Sequence, residues 1–404
     1  MTKPARRSYS APRCVTLGAG RYILASDDVF ELVERTLHNG GAAAALDVLA
    51  QRFREEKKYP QLFEARLMKR RRELGMPLIV NGTPDDLAPE VRKAYEETFI
   101  DAARETGGLF LSDGQIERAW PYFRALGETE PVKEALERVE PGEGLERVIE
   151  IALQERVNPR RGFELILGHY GICRAIGFYE QYPDAKTRPE CLALLVRTLH
   201  ADLLDSLRRT IERAGETAAE TTSVMELLAG RDWLFGDNNY YVDTSHLIAV
   251  LRFSLDLAEP ELLRQALELA EYGTHLSPMF QYKVDPPFDN VYPDHAIYLR
   301  ALLGKQVEEA IAHFRKKAED NPPETAGSGP AQVLVGLLAR LDRFEEAADA
   351  AVQYLKDMDP SQLACPSAID LCREAGKWDR VKQLAREKED ALSYLAAAVA
   401  THAG

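Results

Sequence analysis

The sequence predicts an all-α chain, an α-solenoid of stacked antiparallel helical hairpins. Three observations carry that expectation. Apolar residues recur at intervals of three and four, turn formers punctuate the stripes, and one short turn pattern returns along the chain. In Leu192, Leu195, Val196, Leu199, Leu203 and Leu207 the spacing marks one buried helix face. Similar stripes run through Val132–Val139, Leu262–Leu269 and Val333–Leu341, and clear alternating strand patterns are absent. Asn158-Pro159, Tyr182-Pro183, Asn321-Pro322-Pro323 and Asp359-Pro360 fall between stripes as breakers.

From the amino end, residues 1–25 read as a flexible, solvated basic arm. Lys3, Arg6, Arg7, Arg13 and Arg21 precede the first acid, Asp27. A basic tail that touches an acidic partner is the sharper reading of the same charges. The arm lacks the apolar run and cleavage site of a secretory signal. Nowhere does an apolar run reach the ~18 residues of a membrane span. The net charge of −14 over 404 residues repels phosphate backbones, so no nucleic acid partner is expected. Five scattered cysteines, Cys14, Cys173, Cys191, Cys365 and Cys372, form no CxxC pair and fit a reducing, cytoplasmic setting.

Residues 26–140 read as N-terminal hairpins, 141–295 as a divergent helical middle with long loops, and 296–404 as C-terminal repeats. In the repeats a turn residue is followed two positions later by an apolar residue and five later by a small one. Gly114, Ile116 and Ala119 do this, with Phe123 one helical turn on. Lys305, Val307 and Ala310 repeat it, followed by Phe314 and Pro322, and Asp342, Phe344 and Ala347 repeat it again before Pro360. Gly376, Trp378 and Val381 give a weaker copy, and Gly40, Ala42 and Ala45 another near the start. Two antiparallel helices need a tight turn, a small residue where backbones cross, and a large apolar residue in the groove beside it. One such hairpin cannot bury its own apolar face, so the units stack.

This pattern resembles the second half of the tetratricopeptide repeat (TPR) consensus. Positions 342 and 376 are 34 apart, the period of that family. The likeness is good over roughly residues 290–400, fair over 27–140 and poor between them, and the family's first-helix tryptophan is missing throughout. The resemblance implies a right-handed superhelix whose concave groove binds peptides or other proteins.

Two segments break the helical rhythm. The first runs from Arg231 to Tyr241, and the second from Gly273 to Asp294. Both mix aromatics with carboxylates, amides and turn formers, a composition suited to ligand grooves or to caps over hairpin ends. The expected reading is a protein or peptide partner held by Arg174, Trp233, Asn239, Tyr240, Tyr241, His246, Tyr282 and His295. Asparagines there would pair with peptide backbone and aromatics would supply anchor area. No cofactor is expected, and the oligomeric state stays open.

The alternative is a metal-dependent hydrolase or related enzyme. His169, His200, His246 and His295 lie along apolar stripes of the middle third, with Asp243 and Asp289 nearby as ligand or base. Zinc or another first-row metal would suit such ligands. No HExxH motif supports it. Asp243 and Asp294 also read as helix N-caps, His275 as a helix-end partner, and His200 as a core histidine bonded to a neighbouring helix. Gly18-Ala19-Gly20 lacks the strand and the Lys-Ser/Thr of a phosphate loop, and no GxSxG elbow occurs. Gly168 and Gly171 within one helical stripe each cost about 1 kcal/mol against alanine. Close packing or backbone approach to a ligand must offset them.

Overall fold

The structure is a computed structural model that describes residues 28–79, 88–182 and 184–402. The basic arm, Cys14 and Gly18-Ala19-Gly20 lie outside the described residues. All regular structure among the described residues is helical, nineteen α-helices with short 3₁₀ turns and no strand. No described helix is long and apolar enough to cross a membrane. The chain divides into two compact units between Val132 and Lys133.

The first unit holds α1 (Val29–Glu55), α2 (Tyr59–Glu73), α3 (Pro89–Ser112) and α4 (Ile116–Leu126), each packed on the next. Asp28 caps α1 by accepting from the Phe30 amide. The helix breaks at Gly41, whose φ of 74° and ψ of −179° suit only glycine. The break thus falls one residue after the Gly40 expected to turn. Gly107 lies where α3 meets α4, and a Cβ there would come within 2.7 Å of the Phe123 ring. Tyr59 and Phe110 meet edge to face at 5.0 Å in the core of this unit.

The division falls within α5 (Glu130–Leu136). The second unit continues with α6 (Glu146–Leu153), α7 (Pro159–Glu180), α8 (Arg188–Arg213), α9 (Val224–Leu228), α10 (Thr244–Phe253) and α11 (Pro260–His275). Then come α12 (Val291–Leu302), α13 (Val307–Asp320), α14 (Pro323–Ala326), α15 (Gly329–Arg340) and α16 (Phe344–Leu355). The last are α17 (Ala368–Glu374), α18 (Trp378–Glu387) and α19 (Ala391–His402). From α11 onward each helix leans on its successor, α13 reaching α15 across the single turn of α14. One apolar core, including Phe314, Leu334, Leu338, Ala347, Ala351 and Leu371, runs through this stack.

The expected hairpin turns share one geometry. Gly114, Asp342 and Gly376 all take positive φ, and the next helices begin two residues later at Ile116, Phe344 and Trp378. In each, the amide after the turn residue reaches back to close the preceding helix. Gln115 donates to the Phe110 carbonyl (2.8 Å), Arg343 to Leu338 (2.9 Å) and Lys377 to Cys372 (2.8 Å). The small residues Ala119, Ala310 and Ala347 and the matching Val381 are all buried. The fourth turn differs in detail. Gly304, not Lys305, takes the first positive φ, and Gln306 adds a second before Val307. A fifth turn of this type carries no glycine. Lys57 has φ 56°, Lys58 donates to the Phe53 carbonyl, and buried Tyr59 opens α2.

The two glycines of α7 have separate reasons. A Cβ on Gly168 would lie 2.7 Å from Cγ of Pro141, so close packing requires it. Gly171 has φ 78° and ψ 178° and divides the helix in two.

Candidate functional site

The two irregular segments come together against α10 and α11. Asp243 caps α10 by accepting from the Ser245 amide at 2.8 Å, and a second bond from the Ser245 hydroxyl (2.5 Å), helped by that amide, holds its carboxyl below the ordinary range. Just before it, the Tyr241 amide donates to the hydroxyl of buried Tyr272 on α11 (2.8 Å). The Tyr241 hydroxyl donates to the Leu234 carbonyl (2.6 Å), closing residues 234–241 on themselves. Phe235 stacks on His275, whose Nδ1 serves the Glu271 carbonyl at the end of α11. Gln281 donates its amide to the Gly273 and Leu276 carbonyls and ties the second segment to the same helix end.

The segments then touch. Tyr240 meets Phe280 edge to face at 5.2 Å, and the Tyr282 and Thr244 hydroxyls lie 3.2 Å apart. Tyr240 remains 53% exposed, Met279 65% and Tyr282 42%. Trp233 is half exposed on its 3₁₀ turn, and the exposed Asn239 amide has no side-chain hydrogen bond among the described residues. Large apolar side chains are thus presented to solvent from backbone that is hydrogen-bonded on its inner side. Binding through such side chains loses little ordering entropy.

Of the residues expected at a partner surface, Trp233, Asn239, Tyr240 and Tyr282 are open to solvent. Tyr241 serves as the tie just described, and His246 is half-buried on α10. Arg174 lies on α7 with its guanidinium 5.5 Å from the Phe178 ring. His295 is a correction. It is 2% exposed, its Nδ1 lies 2.6 Å from the Val291 carbonyl, and its ring stacks on Phe288 at 4.2 Å. Enclosed in this way, it presents no surface to a partner.

The alternative ligand set does not assemble. Among the described residues no group of three or more His, Cys, Asp or Glu side chains is placed to hold a metal ion. His169, His200 and Asp243 are engaged elsewhere. His169 packs edge to face on its neighbour Tyr170 at 4.5 Å, and Asp243 is a helix cap. His200 bonds Glu268 through Nε2 at 2.7 Å. Glu268 also accepts from the Ser223 hydroxyl and the Val224 amide, and so caps α9 from a neighbouring helix. Burial works to raise the Glu268 carboxyl; the bonds from His200, Ser223 and Val224 outweigh it and hold the group below the usual carboxylate range. Glu268→Gln keeps the shape but offers one acceptor oxygen to three partners. Chemical unfolding is expected to show a loss of about 1.5 kcal/mol at pH 7.

Asp289 and Asp294 belong to a second cluster, built around the buried Asp294. Asp294 sits inside α12, which begins at Val291, and not at a helix start as its sequence context suggests. Its carboxylate accepts from the Asn290 amide (2.8 Å), lies 2.8 Å from His313 Nε2, and pairs with Lys317 at 3.1 Å. Lys317 also pairs with Asp289 and so pins the end of the second irregular segment to α13. Lys317 follows Phe314 by three residues on the stripe that also carries Ala310 and Ala318, which is the legible sign of its burial. No family model, curated protein or solved structure matches the chain.

Proposed function

We propose that the chain is a TPR-like α-solenoid that serves as a binding scaffold for a protein segment. The recurrent hairpin closure, the buried small residues at positions 119, 310 and 347, and the 34-residue step between Asp342 and Gly376 support the repeat reading. The binding reading rests on one observation. Two irregular segments converge and leave Tyr240, Met279 and Tyr282 exposed on a hydrogen-bonded base. Exposed apolar patches of this kind mark contact sites, and tyrosine supplies contact area with few rotatable bonds. A reducing compartment such as the cytoplasm suits the free thiols of Cys173, Cys191, Cys365 and Cys372.

Selection of random displayed peptides on the full chain, followed by titration against a Tyr240→Ser/Tyr282→Ser variant, tests the site. A class of recovered peptides is expected to bind the variant at least ~10-fold more weakly, about 1.4 kcal/mol. The two proteins should melt within a few degrees of each other, because Tyr240 is already 53% and Tyr282 42% exposed. Equal affinities for every recovered peptide would refute the assignment.

A further inference from the structure

A second surface lies along α7. Past the break at Gly171, the helix presents Cys173, Arg174, Gly177 and Phe178 to a groove of ≈ 820 Å³ whose far wall includes Leu153 and Arg156. Tyr170 is 43% exposed and Phe178 36%, so the groove carries two large rings open to solvent.

Its charge is the opposite of the chain's. The protein carries −14, yet no carboxylate lines this stretch. Carboxylates Glu146 and Glu150 line the adjoining hollow of ≈ 450 Å³, which shares Tyr170, Arg174 and Phe178 with the groove; Glu146 accepts from the Tyr170 hydroxyl at 3.5 Å and Glu150 is paired with Arg147. Neighbouring arginines are engaged: Arg160 with Glu164, Arg161 with Glu164, Arg197 with Glu259 and Arg252 with Glu180. Arg156 and Arg174 have no acidic partner among the described residues. Arg174 lies over the Phe178 ring, which leaves its planar fork of N–H donors for an outside acceptor.

Gly177 points the same way. Glycine inside a helix is destabilising relative to alanine, and a reason is usually found in packing or torsion. Here neither applies. Gly177 lies within α7, its φ is not positive, and a Cβ built on it meets nothing within 4 Å. What glycine provides at this position is bare backbone on the floor of the groove.

We propose that this groove binds an acidic protein segment, seating an aliphatic or aromatic side chain between Tyr170 and Phe178 and a carboxylate against Arg174 and Arg156. Charge complementarity selects the occupant. The apolar walls hold the anchor, and the unpaired guanidiniums in an acidic protein hold the anion. The site does not depend on the aromatic loop surface, so its test begins from the Tyr240→Ser/Tyr282→Ser chain.

Random displayed peptides are selected on that chain and screened against two further variants, Arg174→Glu and Gly177→Leu. Cys173 gives a direct readout, because it is exposed in the groove while Cys191 and Cys372 are buried. Peptides that lose at least ~10-fold affinity for both variants are expected to be net acidic with an apolar residue. They should slow maleimide labelling of Cys173, read by mass spectrometry, at least several-fold. Their lysine-substituted analogues and inorganic phosphate should not. Gly177→Ala should raise the melting temperature by a few degrees while weakening the same peptides. The proposal is overturned if no recovered peptide responds to both variants. It is overturned equally if basic analogues or phosphate alone protect Cys173, or if protection follows the concentration of the chain itself, which would make the groove a contact between copies.

Discussion

Alanine at position 273 is expected to destabilise the second unit by about 3 kcal/mol, although it adds one methyl group. Gly273 lies on α11 where α12 crosses, and the added carbon would stand 2.3 Å from Cδ1 and 2.5 Å from Cγ of Tyr292. Ordinary contact begins about 1 Å further out. The ring cannot turn aside, because Tyr292 has no exposed surface. The helices must therefore part, and a close-packed interior resists that. Urea unfolding of the wild type and Gly273→Ala measures the loss. A cycle with Tyr292→Leu identifies its cause, since the double variant should be at least ~1 kcal/mol more stable than the two losses added together. Additive losses would mean that the ring is not what the methyl strikes. The displacement should also reach the loop surface, because Tyr272 next door holds the Tyr241 amide.

Between pH 7 and pH 5 the protein is expected to lose about 2 kcal/mol of stability through His295 alone. Burial pushes this imidazole from 6.5 down to about 4, with Arg252 adding to the effect and the Val291 carbonyl and Asp294 opposing it. The sign follows from proton binding. The folded chain keeps His295 neutral down to about pH 4, while the unfolded chain protonates it below about 6.5. The stability is whole above that upper value and drains away as the pH falls toward the lower one. Below about 4 both states carry the proton and this contribution falls no further. Urea midpoints for the wild type and His295→Leu at pH 7, 6 and 5 isolate the group, since other titrations cancel in the difference. Glu268 acts in a lower window, because its depressed carboxyl loses its contribution only as pH drops below the ordinary 4.5. Parallel pH profiles for the two proteins would show that His295 takes up its proton without unfolding.

Local features of the fold were readable in the sequence, and partners distant in the chain were not. Ile116, Phe344 and Trp378 open helices because a turn residue two positions earlier dictates it, and that relation lies within a few residues. The Asp243 cap is equally local. Lys57 escaped notice because lysine occupies the left-handed turn where glycine is usual. Gly168 and Gly171 look alike on paper, yet one answers to Pro141 from another segment and the other to its own torsion angles. The histidines mislead for the same reason. Their stripes announce burial, but only tertiary packing assigns Glu268 to His200 or encloses His295 against Phe288. The candidate surface was visible as composition, while the pairing of Tyr240 with Phe280 required the fold.

From α11 onward, most of what supports any one helix is found in the next stretch of chain. Structure of this kind can be acquired in short steps, each closing a small loop, which favours rapid folding. For the repeat array proposed above, it also means that a whole hairpin can be gained or shed during evolution, since a new pair needs a match only at the two faces it meets.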